Sequence, residues 1–245
     1  MSKTLVVVVP DADVLAATVA ARLVARIVDA QAERGAASVV LTGGRIAAKV
    51  LVAVQDLAEA AAVDWSRVDL WWGDERFLRA GDPDRNETQA REALLDDLPL
   101  DPAKVHAMPA SDGPDGDDAE AAAERYAREL AAGGTDLPAF DLLMLGVGED
   151  GHVASLFPGY PGLQATGTTA AVHDSPKPPP TRITLTMPAI QSADEVWLIA
   201  AGPDKAASVG AALNGDKDLP AAHAAGTTKT YWLLDSAAAK DVRSR

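Results

Sequence analysis

His152 is the residue of this chain best suited to move a proton. It follows the apolar run Leu142-Leu143-Met144-Leu145 and the turn Gly146-Val147-Gly148-Glu149-Asp150-Gly151. An imidazole titrates near pH ~6.5 and so supplies a base at neutral pH. Asp150, two residues earlier, is a candidate to hold its tautomer. Backbone N–H groups around Gly148 and Gly151 are candidates to face an anion or a developing oxyanion. The same glycines also read Gly-x-Gly-x-x-Gly, a dinucleotide-binding fingerprint, but that reading needs a long crossover helix after the third glycine. Pro158, Gly159, Pro161 and Gly162 stop any such helix. A tight turn leading into a short helical stretch closed by Pro158 is expected instead. Ser155 is not a nucleophile candidate, because Ala154-Ser155-Leu156 is not a Gly-x-Ser-x-Gly elbow.

Three other stretches carry charge or free backbone donors where apolar runs end. Leu41-Thr42-Gly43-Gly44 opens a helix, a combination that cradles phosphate on unpaired N–H groups and the helix dipole, or else is an ordinary strand-to-helix turn. Gly73-Asp74-Glu75-Arg76 follows Val68-Asp69-Leu70-Trp71-Trp72; an arginine fork binds phosphate bidentately and a neighbouring carboxylate orients it, unless the three charges form a solvated turn. Pro176-Lys177-Pro178-Pro179-Pro180 reads as stiff and extended, and places Lys177 near Arg182 at the start of a strand. His106, His173 and His223 read as structural or surface residues.

Elements able to position these groups alternate along the chain. Strands are expected at Leu5 to Val9, Ser38 to Leu41, Val68 to Trp72, Phe140 to Val147, Ala170 to His173, Arg182 to Met187, Glu195 to Ala201 and Thr230 to Leu234, with a short one at Lys104 to Met108. Between them lie a long Ala-rich helix capped by Asp11 or Asp13 and ended by Gly35, and helices over 45–62, from Asn86 to about Leu98, over 119–131 and over 203–213, with another at the C-terminus. Residues 111–118 read as a charged surface loop, and 159–170 as an exposed one. This alternation argues an α/β sandwich with a largely parallel sheet, in one domain over residues 1–245.

Composition narrows the functional classes. With 22 basic and 36 acidic residues the net charge is −14, which repels nucleic acid, so any anion site has to be a local basic pocket. There is no cysteine, which rules out disulfides and thiolate chemistry. The apolar run near the N-terminus spans only Leu5 to Val9 and meets Asp11 and Asp13, too short for a signal segment or membrane span, so a cytoplasmic location is expected. No metal, cofactor or obligate protein partner is called for.

Gly-x-Gly-x-Asp-Gly-His-x-Ala-Ser-Leu-Phe-Pro, as it stands from Gly146 to Pro158, resembles the signature of the 6-phosphogluconolactonase family, within the glucosamine/galactosamine-6-phosphate isomerase superfamily. Leu41 to Gly44, Trp72 to Phe77 and Asp174 to Thr186 fit the same family in the same order, so the likeness runs from about Val39 to Lys205. It implies a Rossmann-like three-layer α/β sandwich shared with glucosamine-6-phosphate deaminases and ribose-5-phosphate isomerases. The implied activity is hydrolysis of 6-phosphoglucono-δ-lactone, a small phosphorylated sugar lactone of the pentose phosphate pathway, without cofactor. On that reading His152 activates water, Asp150 holds it and Asp74 assists. Gly43, Gly44, Arg76, Lys177 and Arg182 hold the phosphate, and Gly148 and Gly151 offer amides. Asn86 matches a family asparagine near the pocket mouth, although a helix cap explains it as well. The chain departs from the family at Arg45-Ile46-Ala47, where small hydroxyl residues and a proline are usual. A glucosamine-6-phosphate deaminase, or a sugar-phosphate binder without catalysis, is the alternative.

Overall fold

The computed structural model describes residues 2–243. Strand β1 (Lys3–Val9) leads to helix α1 (Ala12–Arg34), which begins where Asp11 accepts from the amides of Asp13 and Val14 and ends at Gly35, φ +76°. That left-handed conformation closes a helix without a Cβ penalty. β2 (Ala37–Leu41) feeds α2 (Arg45–Gln55), and β3 (Val68–Trp72) feeds the short β4 (Asp74–Arg76) and α3 (Asn86–Ala93). α4 (Ala119–Leu130), capped by Asp118, precedes β5 (Leu142–Gly146). β6 (Thr169–Val172), β7 (Arg182–Leu185), the one-turn α5 (Met187–Ile190), β8 (Glu195–Ala200), α6 (Ala206–Leu213) and β9 (Lys229–Asp235) complete the order.

Six strands form one parallel sheet in the order β1-β9-β8-β5-β2-β3. Every residue of β8 is buried, as are the first four of β5, so both faces of the central strands are covered and the sheet is the middle of three layers. From β2 the chain steps outward to β3, whereas from β5 it steps the other way to β8 and β9. The switch point therefore lies between β2 and β5, and a ligand crevice is expected outside their carboxyl ends. No helix is long and apolar enough to cross a membrane among the described residues.

A second sheet was not legible in the sequence. β4, β7 and β6 pair antiparallel, which sets Arg76 directly opposite Arg182. Other expectations change as well. Residues 104–108 make only an isolated bridge, Leu70 to Val105, after a 3-10 turn at Pro102–Lys104. The expected helix over 45–62 ends at Gln55 and resumes as a 3-10 turn at Ala58–Ala62, and α3 likewise gives way to a 3-10 turn at Leu95–Asp97. Residues 236–241 form turns rather than a terminal helix.

Candidate active site

A cavity of about 660 Å³ opens at the carboxyl ends of the parallel strands, lined by the loops after β2, β3, β5 and β8. On one side stands the Gly43–Gly44 turn. Among the described residues no side chain caps α2, and Gly44 (φ +97°), Arg45 and Ile46 line the cavity, so the positive end of the helix faces it. Lys205, from the 3-10 turn Pro203–Lys205 after β8, lines the same region and pairs with Asp204 at 3.2 Å. Arg45 is exposed and lines the cavity at its mouth.

His152 lines the cavity from the loop after β5. Its Nδ1 lies 2.5 Å from Asp150 Oδ1. A carboxylate accepts only, so Nδ1 carries the proton and Nε2 is left as the basic nitrogen. Burial pushes the Asp150 carboxyl up, but the hydrogen bonds and electrostatic pull of His152 outweigh it and hold Asp150 well below the usual carboxylate range. A Cβ at Gly148 would collide with His152 Nδ1 and Asp150 Oδ1, so glycine at this position lets the pair form. Phe157 carries the imidazole, centroids 4.6 Å apart, and also the Arg182 guanidinium, 5.8 Å from the same ring. His152 and Arg182 thus share Phe157 as a packing partner and line the same cavity.

β4 alternates, as strands do: Asp74 and Arg76 line the cavity, while Glu75 points away and is fully buried. Asp74 Oδ2 accepts from Ser155 Oγ at 2.7 Å and lies 4.0 Å from Arg182 Nη1. Arg182 spends its Nε and Nη2 on the carbonyls of Lys177, Pro178 and Pro179, which leaves Nη1 toward Asp74. Burial lowers the Arg182 pKa, Asp74 opposes that, and Arg76 adds to it. Two arginines directly opposite on paired strands repel each other, an arrangement that suits an anion between them. Arg76 donates to Asp84 O at 2.5 Å and keeps a buried Nε without a partner among the described residues. Lys177 lies at the rim, 3.3 Å from Glu149 Oε1.

Most of the residues singled out from the sequence thus line one cavity: Gly43, Gly44, Asp74, Arg76, Gly148, His152, Lys177 and Arg182, with Asp150 directly behind His152. The nominated amides do not serve as expected. Gly148 N donates to His152 O and Gly151 N to Gly148 O, so both are spent inside the turn; Gly151 lies off the cavity, packed against Leu219. No helix follows this turn either: Val153 and Leu156 bridge across a tight turn in which Ala154 has φ +50°. The proline segment is not extended, because Ser175 N donates to Pro180 O and closes it into a loop. Lys205 was missed, although Gly202-Pro203-Asp204-Lys205 after an apolar strand repeats the signal that marked Gly43-Gly44. Asn86 sits in the cavity and caps nothing with its side chain. Among the described residues no three His, Asp or Glu side chains cluster as a metal site.

The family model described as glucosamine-6-phosphate isomerases/6-phosphogluconolactonase matches residues 10–232. The 6-phosphogluconolactonase of Streptomyces coelicolor is 58% identical over 240 residues, which cover 95% of this chain and 92% of that relative. The 6-phosphogluconolactonase of Mycobacterium tuberculosis is 48% identical over 241 residues, covering 96% of this chain and 97% of the relative. A crystal structure of 6-phosphogluconolactonase from Thermotoga maritima superposes with a TM-score of 0.84 at 26% identity, covering 96% of this chain and all of that one.

Proposed function

The chain belongs to the glucosamine-6-phosphate isomerase/6-phosphogluconolactonase family, and from that premise we propose that it hydrolyses 6-phospho-D-glucono-1,5-lactone to 6-phospho-D-gluconate. The observation that carries the mechanism is the His152–Asp150 pair, 2.5 Å apart, in the same cavity as the Gly43–Gly44 turn and a set of cations.

A lactone is an ester whose ring strain helps its opening, so one activated water suffices. His152 Nε2 takes a proton from that water as its oxygen attacks C1. The imidazolium that forms is stabilised by Asp150 through Nδ1. Negative charge grows on the C1 oxygen. With the turn amides of Gly148 and Gly151 occupied, the role of meeting it falls to Arg182 Nη1, which lines the cavity with His152 and is not spent on the loop carbonyls. The C1 to ring-oxygen bond then breaks, the ring oxygen takes the proton from the imidazolium, and the acid released loses its proton to solvent. Asp74 holds Arg182 and is itself held by Ser155. The phosphate rests on the α2 N-terminus at Gly43 and Gly44 with Lys205, and Arg76 and Lys177 add charge from the other wall. Binding this remote group fixes C1 over the base.

Every step uses groups of this one chain, read as one α/β domain, and the doubly charged substrate fits a cytoplasmic setting because such a charge does not enter lipid. The test is lactone hydrolysis followed with a dehydrogenase that consumes 6-phosphogluconate, against a blank without the protein. His152→Asn is expected to lose roughly 10²–10⁴-fold in kcat while still binding 6-phosphogluconate. Wild-type kcat in that variant would refute His152 as base, and ammonia release from glucosamine 6-phosphate by the wild type would point to the deaminase.

A further inference from the structure

Glu75 lies between two residues of the cavity wall but takes no part in the mechanism above. It is fully buried, and its carboxylate accepts three backbone N–H bonds: Oε1 from Arg76 at 2.8 Å and Asn86 at 2.6 Å, Oε2 from Glu87 at 2.9 Å. Two of these amides open α3. The residue at the N-cap position of that helix, Arg85, makes no side-chain cap bond, so a carboxylate eleven residues upstream performs the capping. Ordinarily a cap is local, a Ser, Thr, Asp or Asn at the N-cap itself. A cap supplied from another element ties the two elements together, and here both belong to the site. The first residue of α3 is Asn86, whose Nδ2 donates to Asp74 O at 2.8 Å. Its carboxamide also packs so closely on Gly43 that a Cβ at Gly43 would collide with Oδ1, the amide carbon and Nδ2. Asn86 is therefore a wedge between the Gly43–Gly44 turn and β4.

Resting on the lactonase reading, we infer that Glu75 is a positioning residue for substrate binding: it holds the start of α3 so that Asn86 sets the spacing between the Gly43–Gly44 turn and the Asp74–Arg76 wall. Its surroundings make this hold sensitive to protonation. Facing it are Arg85, 3.8 Å away, Glu87 at the start of α3 and Tyr126 on α4; Asp74 and Arg76 of its own strand and Arg182 of the paired strand lie on the cavity side, where Arg182 still feels its charge. Burial lifts the Glu75 carboxyl to about 7 against Arg85 and the three amides. Below that pH a proton on either oxygen displaces an amide, and the cap weakens.

The experiment compares wild type and Glu75→Gln, in which an NH₂ group replaces one acceptor. Expected are a KM for the lactone and a Kd for 6-phosphogluconate raised roughly 10-fold, the cost of about one charge-assisted hydrogen bond, with kcat within about 3-fold. The ratio of the two Kd values, in which titration of the phosphate cancels, should shrink as pH falls from 8 to 6, because the wild-type cap weakens on protonation whereas what remains of the variant's cap does not titrate. Unchanged Kd, or a kcat loss with KM unchanged, overturns the inference. Should Glu75→Gln fail to fold, Asn86→Ala keeps the cap but removes the wedge and should raise Kd to a similar degree; wild-type Kd in that variant also overturns it. Absence of lactone turnover by the wild type would instead overturn the lactonase reading, independently of either comparison.

Discussion

Asp150→Asn removes a charge from behind His152 while preserving its shape, and so measures what the pair contributes to proton transfer. In the resting site Asp150 Oδ1 accepts from His152 Nδ1 at 2.5 Å and from the His152 backbone N–H at 3.3 Å. An asparagine that turns its carbonyl toward Nδ1 keeps the same tautomer, so Nε2 remains the base. The loss is felt when Nε2 takes the proton of water, because the imidazolium then faces a neutral amide. Hydrogen bonds between charged groups contribute about 1.5–3 kcal/mol. The Asp150 side chain is 34% exposed, so solvent screens part of this and the lower end applies. About 1.5–2 kcal/mol corresponds to roughly 10- to 30-fold in kcat. KM should hold, since Asp150 does not line the cavity. The assay is steady-state lactone hydrolysis with the spontaneous reaction subtracted. Because both residues act on one proton, the double variant Asp150→Asn/His152→Asn should be no slower than His152→Asn alone. A single variant with wild-type kcat, or a double variant slowed by the product of the two single effects, would refute the pairing.

Other perturbations separate binding from stability. Lys205→Ala should raise KM roughly 10- to 100-fold, the worth of one charge-assisted bond to phosphate, with kcat little changed; an unchanged KM, measured in the same assay, would remove Lys205 from the phosphate site. Gly43→Ala puts a methyl where the Asn86 carboxamide lies, and should weaken 6-phosphogluconate binding at least roughly 10-fold by titration calorimetry. His106 stacks on Trp71 at 3.7 Å, with its two ring nitrogens on Asp69 and Glu129. Burial pulls its pKa down, but the hydrogen bonds to Asp69 and Glu129 prevail and lift it to about 9. The fold holds this proton more tightly than the unfolded chain, so the stabilisation is complete below pH 6.5 and is lost as pH rises through 9. His106→Gln should therefore cost about 1–2 kcal/mol more at pH 6 than at pH 10, allowing for solvent around Glu129, since loss of the stack on Trp71 is common to both; equal melting differences at both pH values would contradict this.

Much of the site was legible because its signals are local. Strand runs ending in glycine turns placed Gly43, Gly44, Asp74, Arg76 and His152 at one edge of a parallel sheet, and a carboxylate two residues from an imidazole is close enough in sequence for the turn to bring them together. What failed was also instructive. The short helix expected after Gly151 is a bridge and a tight turn, because Leu156 N donates to Val153 O and Ser155 N is taken by Thr184 Oγ1 of β7; the extended proline segment is a closed loop, because Ser175 N donates to Pro180 O.

By itself the sequence determined the alternation of strands and helices, the chemical types available and the turns that carry them, since periodicity and glycine conformations act within a few residues. Only the tertiary structure decided which groups remain free to act. The amides of Gly148 and Gly151 are consumed within their own turn, most donors of Arg182 bind the loop that precedes it, Glu75 caps a helix eleven residues downstream, and Lys205 arrives from a strand far along the chain. A hydrogen-bonding group is available to substrate only if nothing in the fold has already taken it, and contacts between distant segments settle that.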